Sequence, residues 1–317
     1  MGTNNKILVA VDASAQSLAT VAYVSQIFAP ETTQVVLFHV DTQVPDAYWD
    51  MDLGPGFNER IASVKSWAYE SGKVMDQQLE NCNLVLLNAG FPKTSVTIEK
   101  QVKQRGIARD LLDKVKQGFH AVAVGRTGVS RIKDLAMGNI ASKLVGKLED
   151  TTLIVVGQEV LSPRRILLAF DGSANAMTGV DTVCAMVPPA GVILKICYVI
   201  RQALGYYPGV SLDMETLGHD LMAMKKEMIA PHMDEAVKRL EAAGFFPDSI
   251  IREIQTGKPS RSQALIDDAE AHDFGTIVVG RRGISAVEEF FMGRVSKKVL
   301  QMADSTTVWI VSSTPRH

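Results

Sequence analysis

One glycine pattern occurs twice in this chain, and its repetition restricts the fold more than any other feature. Gly125-Arg126-Thr127-Gly128 is followed, nine residues on, by Gly138-Asn139-Ile140-Ala141. Gly280-Arg281-Arg282-Gly283 is followed, at the same spacing of nine, by Gly293-Arg294-Val295-Ser296. Each copy leaves a short apolar run (121–124 and 276–279) and leads through a helical pattern into another (153–156 and 308–311). The order is strand, glycine loop, helix, strand. Glycines at a strand exit permit positive φ and close backbone approach. A helix that starts just after them leaves its first N–H groups open to an anion such as phosphate. Any strand-to-helix turn favours glycine; three glycines at one spacing in both copies favour a ligand role.

The repetition covers the whole chain. Gly280 follows Gly125 by 155 residues, and Asp171 follows Asp12 by 159. Apolar runs at 6–11 and 166–170 end in Asp12-Ala13-Ser14 and Asp171-Gly172-Ser173. Such runs fit strands buried on both faces of a parallel sheet, and the Asp and Ser residues can cap the helices that follow. Second strands at 34–40 and 192–199 precede loops holding Tyr48, Trp49, Tyr206 and Tyr207. Long amphipathic helices fit 58–88 and 213–243, ended by Gly90 and Gly244. Third strands (95–102, 249–255) and third helices (107–117, 260–271) complete each unit. This alternation predicts an α/β protein of two tandem domains, 1–160 and 161–317, each with a mostly parallel sheet. Ligands of such sheets bind beyond the carboxyl ends of the strands, where strand order reverses. A reversal between the first and fourth strands would put Asp12 and Gly125 on one crevice, and Asp171 and Gly280 on another.

Composition narrows the function. With 317 residues, each half can bury a core of its own. Lys plus Arg number 33 and Asp plus Glu 35, a net −2 that argues against nucleic acid as partner. Cys82, Cys184 and Cys197 lack C-x-x-C spacing and read as buried thiols of a reducing compartment. The six histidines form no metal-ligand pattern. The absence of an apolar leader, a lipidation motif or a membrane-length apolar run makes the cytoplasm the expected location.

An Asp after the first strand, with Gly-x2-Gly-x9-Gly and a small hydroxyl residue after the fourth, resembles the universal stress protein family. The resemblance covers essentially the whole chain, twice. Walker A and Rossmann fingerprints do not occur at these loops. The resemblance implies two tandem, doubly wound, five-stranded parallel-sheet domains, Rossmann-like, with strand order 3-2-1-4-5. In nucleotide-binding members the glycine loop and the next helix hold the ATP phosphates, while the Asp and the backbone ending the second strand border the adenosine. The positions implied here are Asp12, Val40, Gly125, Gly128 and Gly138 in the first half and Asp171, Val199, Gly280, Gly283 and Gly293 in the second. Beside them, where this chain departs from the family's pattern, Asn139 in the first half and Arg294, Val295 and Ser296 in the second complete the candidate nucleotide sites. Arg126 and Arg281 could meet phosphates or be solvated. The family's two hydroxyls after the third glycine are both missing at Asn139 and Ala141, and one is missing at Arg294. ATP, AMP, with or without Mg²⁺, and an empty site all stay open.

No nucleophile elbow, Cys/His pair or dedicated base appears, so binding is favoured over catalysis. The leading reading is a cytoplasmic stress-response sensor or regulator that binds adenine nucleotide. A weak ATPase or nucleotidyl-transfer enzyme, and an interaction scaffold with degenerate pockets, are the alternatives. In the resembled family dimers often form through the last strand, which here implies an intramolecular pseudo-dimer pairing 152–156 with 307–311; both edges are apolar, which invites pairing, and a homodimer is also open. His39 reads as a strand residue with a satisfied ring, and nothing in the sequence accounts for Lys195 inside an apolar strand.

Overall fold

The computed structural model describes residues 5–42, 55–127, 139–148, 150–159, 162–201, 214–283 and 292–312. The first half supplies strands β1 (Asn5–Ala10), β2 (Thr33–Asp41), β3 (Val96–Val102), β4 (Ala121–Gly125) and β5 (Thr152–Val156). Its helices are α1 (Ala15–Ile27), α2 (Pro55–Asn88), α3 (Ile107–Val115) and α4 (Asn139–Val145). The second half repeats the series with β6 (Arg165–Ala169), α5 (Ala174–Met186), β7 (Ile193–Arg201), α6 (Met214–Ala242) and β8 (Ile250–Lys258). It closes with α7 (Arg261–Ala271), β9 (Thr276–Gly280), α8 (Arg294–Met302) and β10 (Thr307–Val311). Gly90 and Gly244, with φ of 92° and 94°, stop α2 and α6 in the left-handed conformation that a side chain would resist.

The strands form one sheet in the order β3-β2-β1-β4-β5-β10-β9-β6-β7-β8. Counted from its own first strand, each half runs 3-2-1-4-5, with every pair inside a half parallel. Alternate side chains of β1 go to opposite faces, Ile7 and Val9 to one core and Leu8 to the other. One core gathers α1, α2, α5 and α6; the other gathers α3, α4, α7 and α8. Both cores contain residues of both halves, so burial does not stop at the boundary between them.

The halves meet where β5 pairs antiparallel with β10, Val155 opposite Val308, Ile154 opposite Trp309 and Leu153 opposite Ile310. Trp309 is fully buried and stacks on Phe28 with ring centroids 5.6 Å apart. Its Nε1 donates to the Tyr23 hydroxyl at 2.7 Å. Tyr23 Oη lies 2.8 Å from Thr276 Oγ1, which donates to the Pro163 carbonyl at 2.7 Å. The Thr276 proton is committed to that carbonyl, so Tyr23 must be the donor to Thr276. The relay runs one way, from indole to phenol to hydroxyl to backbone, and ties α1 of the first half to β9 and β10 of the second. Burial raises the Tyr23 pKa far above the ordinary phenol, keeping it protonated as this chain of donors requires.

Candidate functional site

The sheet reverses between β1 and β4, and again between β6 and β9. The β1–β2 pairing sets Ala10 beside Phe38, and the β6–β7 pairing sets Ala169 beside Cys197. Two residues further, the same registers bring Asp12 level with Val40 and Asp171 level with Val199. Among the described residues, Asp12 and Val40 thus lie on one side of the first reversal with Gly125 on the other, and Asp171 and Val199 on one side of the second with Gly280 and Gly283 on the other. Val40 and Val199 are buried and could offer a ligand only backbone. His39 holds the first-half turn, with Nδ1 2.9 Å from the Val11 carbonyl.

The two carboxylates are engaged differently. Asp12 Oδ1 accepts from Ser14 N at 3.0 Å, from Ser17 Oγ at 2.8 Å and from the Ser14 hydroxyl. The Ser14 hydroxyl is drawn to Asp12 and makes no cap bond to α1. In the second half Ala176 stands where Ser17 stands in the first. Ser173 Oγ there accepts from Ala176 N at 3.2 Å and caps α5, while Asp171 Oδ1 accepts from Ser173 N at 3.0 Å. The other Asp171 oxygen lies against the glycine loop: a Cβ on Gly283 would stand 2.4 Å from it.

The glycines act through close approach, and the expectation of positive φ is corrected. Gly125, Gly280, Gly283 and Gly293 do not adopt the left-handed region. A Cβ on Gly125 would lie 2.4 Å from Gln16 Cγ, and one on Gly280 2.8 Å from Asn175 Cβ. The first glycine of each loop thus lets the first turn of α1 or α5 close onto the strand exit. Gly283 alone among the described loop glycines makes its approach to the Asp at the crevice.

Arg126 and Arg281, expected at phosphates or in solvent, are buried at the junction between the halves. The Arg126 backbone N–H bonds Val156 O at 3.0 Å and its Nη1 donates to the Leu300 carbonyl at 2.6 Å. The Arg281 backbone N–H bonds Val311 O at 2.6 Å, and its Nη2 donates to the Val145 carbonyl. The physical reason is the partial negative charge at the C-terminal end of a helix, a good seat for a guanidinium with no water around it. Burial lowers the Arg126 pKa to about 10, which leaves it charged at neutral pH.

Helix α8 begins at the crevice without a side-chain cap, its N-cap Gly293 bonded back to the Arg281 carbonyl at 2.8 Å. Arg294 is exposed and Val295 half-buried. Ser296 is buried and its hydroxyl donates to Gly280 O at 2.6 Å, pinning the helix to the end of β9. Buried Ala141 holds the equivalent place in α4, without that pin. Gly128, Gly138, Tyr48, Trp49, Tyr206 and Tyr207 lie outside the described residues, as does the side chain of Asn139.

One position escaped the sequence reading. His232 of α6 lies over the turn after β6, its Cδ2 3.4 Å from where a Gly172 Cβ would stand. Its counterpart Gln78 on α2 donates to the Ser14 carbonyl at 3.0 Å. Only the constant spacing between the two long helices could have linked them to the crevice. Among the described residues no group of three or more His, Cys, Asp or Glu could hold a metal ion, and no helix is long and apolar enough to cross a membrane. The three thiols carry no disulfide; Cys184 is half-buried, against expectation, and burial lifts Cys197 to about 12.

A paired, doubly wound α/β architecture with an Asp and a glycine loop at each reversal point defines the class. The sequence model of the universal stress protein family matches residues 3–156 and again 163–312. The chain belongs to the universal stress protein family, as a tandem of two such units. It is 23% identical over 313 residues to a universal stress protein of Mycolicibacterium smegmatis, covering 98% of this chain and 97% of that one. Among solved structures it is similar to a universal stress protein of Archaeoglobus fulgidus, 16% identical with a TM-score of 0.58, covering 98% and 99% of the two chains. A functionally unknown protein of Pseudomonas aeruginosa is 12% identical with a TM-score of 0.57, covering 97% and 92%. At these identities the two structures support the fold alone.

Proposed function

We propose that this protein binds an adenine nucleotide, ATP or AMP, and acts in the cytoplasm as a stress-response sensor or regulator built of two units, 1–160 and 161–317. The second half is the better-equipped site. The carrying observation is the contact of Asp171 with Gly283 where the sheet reverses between β6 and β9, beside the uncapped start of α8. These groups fit a nucleotide in kind. The first N–H groups of α8 and the exposed Arg294 suit phosphate. The Asp171 carboxylate can accept from ribose hydroxyls, and the Val199 backbone can border the base. The Ser296 hydroxyl, already donating to Gly280, would offer only lone pairs and serves mainly to fix the helix. A Mg²⁺ would arrive on the phosphates, with Asp171 as a carboxylate at the loop.

A second reading applies to the first half. Three donors converge on Asp12 Oδ1, and Ala141 replaces the hydroxyl that pins α8. These features favour a unit that supports the second half as scaffold.

Mass spectrometry of ligand released from freshly purified, denatured protein, followed by calorimetry with ATP and AMP, tests the proposal. Gly283→Val should abolish the second-half signal by displacing Asp171, with the circular dichroism spectrum unchanged. No released nucleotide and no heat with either ligand would overturn it. Sustained release of ADP or AMP above the Gly283→Val level would point instead to the enzyme.

A further inference from the structure

We propose that Arg126, a residue of the first half's glycine loop, is a positioning residue for the site of the second half; the proposal rests on the nucleotide reading of that site. Arg126 is 0% exposed, and its guanidinium donates to Leu300 O, in the last turn of α8. The start of that helix borders the second-half crevice, so one short rod carries the contact at one end and the site at the other. Nine residues of helix span only ~14 Å and do not bend appreciably. A carbonyl in the last turn has no partner within the helix, and a buried cation is a strong one.

The arrangement is reciprocal. Arg281 follows Arg126 by 155 residues, Leu300 follows Val145 by the same 155, and Arg281 donates to Val145 O. Both arginines are second residues of a glycine loop, so a shift of that loop on binding would reach the far half through the guanidinium. Their backbone N–H groups are fastened to β5 and β10, the pair that joins the halves. The halves are thereby coupled through a contiguous, two-ended contact across the junction, and a first half that acts as scaffold sets the affinity of the second.

The test uses the full chain with Arg126→Met, Arg126→Lys and, to define the second-half signal, Gly283→Val. Hydrogen exchange without ligand should quicken by about tenfold or more at 294–302 in Arg126→Met, the scale of a lost charge-assisted bond. Exchange in α1 and α5 should not change. The second-half ATP affinity should fall by at least about fivefold, and Arg126→Lys should recover part of it. A purely structural arginine would instead raise exchange evenly through both halves and leave the remaining affinity unaltered, which would overturn the proposal. So would wild-type exchange at 294–302 in Arg126→Met. A wild type that takes up no ATP would sink both the site reading and this proposal; normal ATP uptake by wild type and Arg126→Met alike would sink this proposal alone.

Discussion

Lys195 and Asp268 form an ion pair inside the second half, Lys195 Nζ lying 2.7 and 2.9 Å from the two carboxylate oxygens. Glu253 of β8 also pairs with Lys195, and His272 Nδ1 lies 2.8 Å from Asp268 Oδ1. The first half has Val36, Glu99 and Lys114 at the equivalent places, and there Lys114 pairs with Glu99. The cation has moved from helix to strand, and the strand-borne glutamate keeps a partner in both halves. Burial alone would push the Lys195 pKa down, but hydrogen bonds and charge from Asp268 and Glu253 outweigh it and raise the value.

Removing one member of such a buried pair leaves its partner charged and dry. Lys195→Met should therefore destabilise the protein by about 3 kcal/mol, the lower end for buried pairs because Glu253 is partly solvated. Lys195→Val with Asp268→Lys rebuilds the first-half arrangement and should recover most of the loss. Urea denaturation of the three proteins measures both effects, and a double variant no better than the single would refute the equivalence.

Tyr23→Phe should cost about 1–3 kcal/mol, because it strips the buried Trp309 N–H of its acceptor. Adding Trp309→Phe removes the orphaned donor too, so the double variant should lose less than the sum of the singles. A double-mutant cycle in urea gives the coupling, and strict additivity would mean that the relay carries no energy.

Asp110 gives stability a pH dependence of known sign. Burial pushes its pKa up, yet the backbone N–H groups of Gln104, Arg105 and Gly106, with the Arg105 charge, hold it below the usual carboxylate range. A depressed folded-state pKa stabilises above the unfolded value of about 3.9 and is lost as pH falls through the folded one. Asp110→Asn should be less stable than wild type at pH 7, and the gap should close below about pH 4. Thermal melts across that range read it; a gap that widens in acid would contradict the assignment.

Arg294 is exposed at the start of α8, so its contribution to anion binding is that of a screened surface charge. Arg294→Ser should weaken ATP binding roughly fivefold at low salt, about 1 kcal/mol, and less at high salt. Calorimetry at two salt concentrations checks it. Equal affinities at both would leave Arg294 without a role in the site.

The repeated glycine pattern and the doubly buried apolar runs made the α/β halves legible, because parallel strands covered on both faces need such sequences. The junction through the last strands came from the family resemblance, with the apolar edges at 152–156 and 307–311 in support. What the sequence concealed were partners distant along the chain. Arg126 looks like any loop arginine until the Leu300 carbonyl, 174 residues away, is brought beside it. Lys195 is anomalous until α7 and β8 supply its carboxylates. Positive φ was also expected at Gly125 and Gly280, where the structure instead packs a helix close against them, since neither sequence nor spacing tells a tight turn from a helix lying close overhead.

Ile154 and Trp309 occupy corresponding places in the two copies, 155 residues apart, and they face each other across the junction. In a dimer of identical subunits the residue on the symmetry axis must meet its own image. Here an aliphatic side chain meets an indole, a pairing closed to two identical copies and open to two unlike ones. Two first halves would set Ile154 against Ile154. Two second halves would crowd Trp309 against Trp309, each indole N–H deprived of the Tyr23 that only the first half carries. The junction is thus built to recognise an unlike half and to reject a copy of itself.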